Sequence, residues 1–198
     1  MVQVNRVPRV DFAPDRKSIL GNGYPVNNAS GIAVASCPVH YTDTDVLGEV
    51  GKRFYFELLI TVFESTTASF AIGYSPVTEA ITTAANGASP DGQRYMYRND
   101  GAIFVNEINE GSAVSFTLGD VIGAEIDFTN NVIRFYKNGV EVGDTYDVDI
   151  AASHQRTPMR ARIDSASSAA SHRAYQARFG ADIQYLPAGC LAYDWQNA

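Results

Sequence analysis

Two carboxylates on one predicted strand are the residues of this chain best placed for acid–base chemistry. Glu125 and Asp127 are two residues apart, so both side chains leave the strand on the same face, with Cα atoms about 7 Å apart. Some glycosidases with lectin-like sandwiches use a row of three such acids, one of them as nucleophile and another as acid. Here the third position is Thr129. The incomplete row favours a structural role, and we predict no catalytic residues.

The potential zinc ligands form only half of a site. Cys37 and His40 are three residues apart, which is a spacing that zinc sites use. A second pair with ligand spacing is missing, because Cys190, His154 and His172 are isolated in the sequence. A Cys-His nucleophile pair would also need an orienting third group. We therefore predict no metal ligands.

Carboxylates and glycines also gather in turns without completing a cofactor site. Asp43 and Asp45 form one acidic turn and Asp144–Asp149 another, but neither has the spacing of a calcium-binding loop, so both are interpreted as solvated turns. The Gly21-Asn22-Gly23 segment is not followed by a helix-forming sequence with a Lys-Ser or Lys-Thr ending, as a phosphate cradle would be. The sequence predicts no cofactor.

Composition and charge argue against nucleic-acid and membrane partners. The chain has 15 Lys and Arg against 22 Asp and Glu, a formal net charge of −7, and its cations are scattered. Nucleic-acid binding, which depends on a basic patch, is therefore disfavoured. No apolar run reaches the length of a membrane span. The hydrophobic share of 45%, with 10 Phe and 11 Tyr, predicts a packed aromatic interior.

Cysteine usage and the first residues indicate a soluble protein made in a cytoplasm. Cys37 and Cys190 are too few for a secreted disulfide framework, and we interpret both as buried thiols, with a single bridge between them left open as the alternative. The segment Met1–Pro8 lacks the hydrophobic block of a signal peptide.

The elements that must position these residues are short strands. Apolar or alternating runs are separated by polar and Gly-rich breaks, which is typical of an all-β sandwich. The runs are Ile32–Ser36, Phe54–Val62, Ser69–Tyr74, Arg94–Arg98, Ala102–Val105, Ala113–Thr117, Gly119–Phe128, Asn131–Gly143, Arg160–Ile163 and Tyr175–Phe179. Longer connections occupy 75–93, 146–158 and 165–173, and the Ser/Ala-rich composition of the last is compatible with a local helical turn.

Residues 119–143 carry the strongest local pattern. Two alternating runs join at Thr129-Asn130, and the second run closes on Asn138-Gly139, a dipeptide that tolerates positive φ at both central positions of a type I′ turn. The pattern predicts three consecutive antiparallel strands. Their apolar side chains are expected to share the core, namely Ile122, Ile126, Phe128, Ile133 and Phe135.

The chain is long enough for one β domain preceded by an arm. Residues 1–24 carry Pro8, Pro14 and a Gly-rich break without sustained periodicity, so we predict an extended N-terminal arm and a domain over 25–198. Apolar residues such as Phe12 and Leu20 are expected to dock the arm along the sandwich or a neighbouring subunit.

Several segments of the chain resemble the SPRY, or B30.2-like, domain family. The resemblance covers about residues 25–195 and lies in these segments: Gly51–Glu57, Phe70–Ser75, Tyr97–Gly101, Gly119–Gly123, Ile133–Tyr136, Asn138–Gly143 and Arg178–Gly180, followed by Tyr185 and Pro187. One departure is that the Trp often found before the Y-x-x-D-G turn is replaced by Arg94-Tyr95-Met96. Trp195 is the only Trp of the chain.

The resemblance implies a bent antiparallel, concanavalin-like β-sandwich that binds a macromolecule and is not an enzyme. Members of this family generally present loops at one end of the sandwich to protein partners. We therefore predict a protein partner or an assembly subunit, with a cell-surface glycan bound by a lectin-like module as the alternative. The richness in Ala, Gly, Ser, Thr and Asn is common among bacteriophage virion proteins, which suggests a decoration, fibre or adaptor protein. The arm offers a route to a homo-oligomer.

The predicted contact surface consists of the loops at 75–93, 94–101 and 106–112. Tyr and Arg are enriched at binding hot spots. The residues predicted to contact a partner are Arg94, Tyr95, Tyr97, Arg98, Asn99 and Asp100. For Tyr95 and Tyr97 an equally weighted alternative makes them strand residues packed inside the domain.

Overall fold

The chain folds as a sandwich of two β-sheets. The computed structural model describes residues 11–12, 18–21, 29–34, 53–63, 70–76, 94–105, 108–147, 159–167 and 173–193. In these ranges the only helical segment is a single 3₁₀ turn, Gly180–Asp182. No helix in this part of the chain is long and apolar enough to cross a membrane.

Fourteen strands are present in the described ranges. In chain order they are β1 (Asp11–Phe12), β2 (Ser18–Gly21), β3 (Ala29–Val34), β4 (Arg53–Phe63), β5 (Phe70–Pro76), β6 (Tyr95–Arg98), β7 (Ala102–Val105), β8 (Ile108–Ser112), β9 (Val121–Asp127), β10 (Val132–Lys137), β11 (Val140–Asp147), β12 (Met159–Ser167), β13 (Arg173–Arg178) and β14 (Leu191–Ala192). The larger sheet has the order β1-β2-β13-β4-β9-β10-β11, and β14 pairs with β4 in parallel. The smaller sheet has the order β3-β12-β5-β6-β7-β8. Except for β14, the neighbouring strands are antiparallel.

The core forms where the facing sides of the two sheets meet. In β4, Phe54, Phe56, Leu58 and Ile60 are buried on one face, as the alternation of the sequence predicts. The five core residues predicted for the meander are also buried in the main cluster. The predicted all-β sandwich and its central strands are therefore confirmed.

Both faces of the two central strands are buried, which alternation alone does not predict. Every residue of β9 is buried, and Tyr55 and Glu57 on the second face of β4 are fully inaccessible. A strand in a two-sheet sandwich normally has one solvated face. The larger sheet must therefore be covered on its outer side as well.

One predicted strand is wrong, and one predicted connection is shorter than predicted. The strand predicted at 113–117 is irregular, since Ala113 and Phe116 donate their backbone N–H groups to the carbonyls of Gly101 and Asn99, and the strand of this region is β8. The connection predicted at 165–173 instead begins within β12 and ends within β13, and Ser165 pairs with strands on both sides. The residues Ser165–Ser167 form a strand here because all three pair with β3 and Ser165 also pairs with β5.

Part of the predicted N-terminal arm belongs to the larger sheet. Residues Ser18–Gly21 pair with Arg173–Gln176 of β13, and Asp11 and Phe12 pair with β2 in turn. This segment therefore packs along the sandwich over these residues. The boundary predicted at residue 24 stays a prediction.

The predicted type I′ turn is confirmed. Asn138 and Gly139 connect β10 and β11 and have φ values of 51° and 81°. The Asn138 side chain also accepts a hydrogen bond from the backbone N–H of Val121 at 2.8 Å and donates one to Asp120 at 2.9 Å. The turn is thus bonded to the start of β9, and it sets the pairing of Phe135–Lys137 with Val140–Val142, beyond which a bulge shifts the register of β10 and β11.

Replacing Phe135 by Ala should lower the free energy of unfolding by about 3 to 5 kcal/mol, because its fully buried ring packs against those of Tyr97 and Tyr146. Urea denaturation measures the loss. Val140→Ala, at a 66% exposed position, is the control and should change stability by less than about 0.5 kcal/mol. An unchanged midpoint for Phe135→Ala would contradict the core assignment.

Replacing Gly139 by Val should destabilise the domain for two separable reasons. A β-branched residue resists positive φ, and a Cβ at this position would lie 2.8 Å from Cδ1 of Tyr185. Gly119→Val isolates the first reason, since Gly119 has a φ of 85° and nothing within 4 Å of its ideal Cβ. We expect a cost of about 1 to 2 kcal/mol at Gly119 and a larger one at Gly139, measured by thermal denaturation. Equal losses would show that the Tyr185 contact is immaterial.

Candidate functional site

The six residues predicted to contact a partner lie on one hairpin, but they divide into a buried and a surface group. They occupy β6, the residue before it and the turn after it. Four are buried, namely Arg94, Tyr95, Tyr97 and Asn99. Of the six, Arg98 and Asp100 reach the surface, with side chains 25% and 49% exposed. Of the six, a partner can therefore reach the side chains of Arg98 and Asp100. Residues 77–93 and 106–107 of the predicted contact loops lie outside the described residues, so their part in the contact surface stays a prediction.

The two tyrosines of β6 are core residues, as the alternative interpretation of this strand stated. The ring of Tyr97 lies 5.1 Å from that of Phe116 and 5.6 Å from that of Phe135, measured between centroids. Its hydroxyl donates to the carbonyl of Val114, and burial raises the pKa of Tyr97 above its ordinary value. Tyr95 is also part of the main core cluster. Neither ring is available to a partner while the domain is folded.

Asn99 is buried and holds the turn in place. Its side-chain Oδ1 accepts a hydrogen bond from the backbone N–H of Phe70 at 2.7 Å, and its own N–H donates to the carbonyl of Phe70 at 2.8 Å. The carbonyl of Asn99 accepts from Phe116 at 3.0 Å. These bonds join three segments and fix the position of the surface residues on either side of Asn99.

Arg98 and Asp100 form a bidentate ion pair at the surface. The Nε and Nη2 atoms of Arg98 donate to the two carboxylate oxygens of Asp100 at 2.8 and 2.5 Å. The guanidinium also lies 4.8 Å from the ring centroid of Phe104, and Asp100 accepts from the N–H of Ala102. The hydrogen bonds from Arg98 hold the pKa of Asp100 below its ordinary value, against the opposing effect of burial. The result is a charged contact point with a fixed geometry.

The two acids that the sequence singled out for chemistry form a buried charge network on the outer face of the larger sheet. Oε1 of Glu125 accepts from Nε of Arg53 and from Nη1 of Arg134, both at 2.8 Å, and Oε2 accepts from the hydroxyl of Tyr136 at 2.5 Å. Nη1 of Arg134 also reaches Oδ2 of Asp127 at 3.1 Å. The two acids therefore share one face of β9, as predicted.

Asp127 is also a turn residue. Its Oδ1 accepts from the backbone N–H groups of Thr129 and Asn130 at 2.9 and 3.0 Å, and its Oδ2 accepts from the Asn130 side chain at 2.8 Å. The carboxylate thus fixes the reversal between β9 and β10. This pattern is a common way for Asp to stabilise a turn.

The network keeps both acids ionised. Burial alone would raise the pKa of Glu125, but the hydrogen bonds from Arg53 and Tyr136 and the charges of Arg53 and Arg134 outweigh it, so the pKa lies below its ordinary value. The pKa of Asp127 is also lowered, because the bonds from Asn130 and Arg134 outweigh burial. Ionised, inaccessible and fully bonded carboxylates cannot meet a glycosidic bond. The geometry of these acids is structural and supports no acid–base reaction.

A segment at 180–190, which we call the strap, lies across this network. Glu57 accepts the backbone N–H groups of Gln184 and Tyr185 at 2.8 and 2.7 Å, and Arg53 donates to the carbonyl of Ala188 at 3.0 Å. Cys190 packs there with Tyr55 and Tyr136. The strap covers the outer face of β4 and β9, so both faces of these two strands are buried.

Sequence reasoning missed the strap, although the sequence contained one sign of it. Glu57 stands in an apolar strand, and a carboxylate that cannot reach water must find bonding partners inside the protein. One partner, the hydroxyl of Tyr55, is two residues away, but the backbone partners in the strap are 127 and 128 residues away, so no local pattern identifies them.

The described residues offer no metal site. No three His, Cys, Asp or Glu side chains among them are placed to share a metal ion. Cys190 is a free, buried thiol, as predicted, and burial raises its pKa to about 12. Cys37 and His40 lie outside the described residues, and so does the acidic turn at 43–45, so the absence of a metal there stays a prediction.

Comparison with known proteins identifies the family. The sequence profile of the SPRY domain matches residues 53–153, which is just over half of the chain. The chain belongs to the SPRY domain family. Domains of this family generally act as non-catalytic protein-interaction modules. No curated protein sequence matches the chain.

Solved structures share the fold of this SPRY domain. The SPRY domain of human HERC1 superposes with a TM-score of 0.62 at 17% identity, over 91% of this chain and 99% of that one. A seed lectin of Lotus tetragonolobus gives 0.57 at 10% identity, over 89% of each chain. The carbohydrate recognition domain of Emp46p, in a potassium-bound form, gives 0.57 at 12% identity, over 88% of this chain and 85% of that one. At these identities the likeness concerns the fold alone.

The exposed apolar side chains of the SPRY domain are aliphatic in the part that the structure describes. Those most exposed are Ile108, Val114, Leu118, Val140 and Leu186. No described Phe, Tyr or Trp side chain is as exposed as these five residues. The sequence did not identify this set, because an exposed valine and a core valine look alike without their neighbours.

Replacing Glu125 by Gln should destabilise the SPRY domain by about 3 kcal/mol at neutral pH, because Arg53 and Arg134 lose their buried counter-charge. The folded-state pKa of Glu125 lies below its ordinary 4.5, so its contribution is complete above about pH 4.5 and is lost as the pH falls. The difference between wild type and variant should therefore shrink on acidification. Urea denaturation at about pH 7 and pH 3.5 measures it, with the exposed Glu110→Gln as control. A difference independent of pH would contradict the assignment.

Proposed function

We propose that this SPRY domain recognises a protein partner through the surface around the Arg98–Asp100 ion pair. The family supports a role in protein binding, and the network around Glu125 leaves the two candidate catalytic acids without access to a substrate. Arg98 is held by Asp100 and Phe104, so a partner meets a side chain that has already lost most of its rotational freedom. Fixing a contact residue in advance lowers the entropic cost of binding.

The aliphatic character of the exposed apolar side chains is the observation that carries this proposal. Val114 is 60% exposed, and it lies between Ala113 and Phe116, whose backbone N–H groups bond the carbonyls of Gly101 and Asn99 on either side of Asp100. Aliphatic side chains beside a charged pair suit a protein surface, where apolar contacts are surrounded by a polar rim.

Carbohydrate binding is the second candidate. It is supported by the fold shared with the Lotus tetragonolobus lectin and with the carbohydrate recognition domain of Emp46p. Sugar recognition commonly stacks a pyranose on an exposed aromatic ring. The described aromatic side chains are all buried or half-buried, which is why protein binding is our first choice.

The setting that we propose is a larger assembly, such as a bacteriophage virion, with the protein acting as a decoration, fibre or adaptor component. The composition, rich in small and hydroxyl residues, supports it. The N-terminal segment supports it too, because β1 and β2 add to the margin of a sheet through backbone hydrogen bonds. The same pairing made with a neighbouring copy would give a homo-oligomer through the arm.

Arg98→Ala should abolish or weaken partner capture by about tenfold or more while the domain stays folded, since truncating a positioned Arg at an interface removes a hot-spot contact. Ala181→Glu is the matched control: it also lowers the net charge by one, at an exposed position on the 3₁₀ turn. Immobilised wild type and both variants are used to capture proteins from the native source, which are quantified by mass spectrometry.

We expect the wild type and Ala181→Glu to retain the same set of proteins and Arg98→Ala to lose it. If all three retain the same set and only deletion of residues 1–20 loses it, the recognition surface lies on the arm. Binding of the wild type to a glycan array, without protein capture, would favour the carbohydrate alternative.

A further inference from the structure

The edges of the two sheets meet along one side of the sandwich. β8 is the last strand of the smaller sheet and β11 the last of the larger one. A Cβ on Gly143 would lie 3.5 Å from that of Ala113, and one on Gly111 would lie 3.4 Å from the Tyr146 hydroxyl. The Nζ of Lys137 reaches the carbonyl of Ser115 at 2.8 Å. Residues 108–115 and 140–146 therefore form one continuous surface, which we call the edge surface.

The edge surface exposes aliphatic side chains from both sheets. Ile108, Val114 and Val140 are 62%, 60% and 66% exposed. They account for three of the five large exposed apolar residues among those described. Val140 pairs with Lys137 across the hairpin, which brings it toward Ser115 and the segment that carries Val114.

The same surface carries acids that no described cation neutralises. Glu110 and Asp144 are exposed, and neither is within ion-pair distance of a described Lys or Arg. Burial raises the pKa of the nearby Tyr146 hydroxyl, and the negative charges of Asp144 and Glu110 raise it further. The lysine next to this surface, Lys137, is already paired with Asp120 at 3.1 Å. Glu141 adds a further carboxylate, 3.9 Å from Arg134.

The edge of β8 is unsuited to accepting another strand. The pairing of β7 with β8 is interrupted by a bulge between Ile103 and Phe104, and the backbone N–H of Gly111 is bonded by the side chain of Asn109 at 3.2 Å. Bulges and charged side chains are features that protect strand edges from strand addition. A partner that meets β8 therefore contacts its side chains and not its backbone.

We infer that the edge surface docks a protein partner whose own surface presents Lys or Arg beside aliphatic side chains. This rests on the proposed function, because it names the chemistry of the partner. Charge complementarity selects a basic occupant: apolar contacts form at Val114 and Val140 while cations of the partner face Glu110 and Asp144. A second copy is a poor occupant, since acid would face acid in a chain of net charge −7.

The test uses a synthetic peptide of about 12 alternating Leu and Lys residues, titrated into the full-length ¹⁵N-labelled protein at physiological salt and followed by amide chemical shifts. A Ser-Lys peptide of equal charge is the ligand control. We expect shifts confined to 108–115 and 140–146, and weaker binding of the Ser-Lys peptide. Glu110→Lys and Asp144→Lys should each weaken binding by about three- to fivefold. Asp182→Lys, which makes the same change of charge on the 3₁₀ turn, should leave it unchanged.

Equal weakening by Glu110→Lys and Asp182→Lys would mean that the peptide responds only to net charge, and the inference would fall. Shifts centred elsewhere, or equal binding of the Ser-Lys peptide, would overturn it too. The proposed function is scored separately by the capture experiment. If a native partner is lost with Arg98→Ala but retained with Glu110→Lys, the proposed function holds and the edge surface does not take part in it.

Discussion

The rest of the structure depends on the burial of one carboxylate, Glu125, in the middle of the larger sheet. A charge in that position is tolerated only if several donors reach it. Arg53 comes from the neighbouring β4, and Arg134 and Tyr136 come from β10 on the other side, so the three donors clamp three adjacent strands. These side-chain bonds add to the backbone pairing that places the three strands side by side.

The same burial determines where this SPRY domain can meet a partner. Because the strap closes the outer face of the larger sheet over β4 and β9, the centre of that face is not a binding surface. The inner faces form the core. In the described part of the molecule, the ion pair of Arg98 and the acidic side of β8 and β11 carry the surface chemistry. Arg98 lies against Phe104 on the outer face of the smaller sheet, and the acids lie where the edges of the two sheets meet.

The sequence correctly predicted those features of the fold that depend on residues close together in the chain. The alternation of β4, β9 and β10 and the Asn138-Gly139 turn involve residues that are close in sequence, and they were predicted correctly. β8 was not, because an edge strand exposed on both faces needs no apolar alternation.

Alternation also shows that Tyr95 and Tyr97 share a face without showing which face is inside. The packing of the two sheets determines which face of β6 is inside. With β6 paired between β5 and β7, both tyrosine rings lie in the core. The candidate contact residues could therefore be located to a hairpin from the sequence. Their division into buried and exposed required the packing of strands far apart in the chain.

The segment that follows the strap contributes to the core but is synthesised after the strands that it contacts. Tyr193 is almost fully buried, its ring packs against those of Phe56 and Phe179, and its backbone N–H is bonded to the carbonyl of Tyr55. A ribosome adds residues from the N-terminus, so the strands around Phe56 exist long before the side chain that completes their core. Until residue 193 has emerged, the aromatic rings of Phe56 and Phe179 lack the neighbour that packs against them in the folded domain.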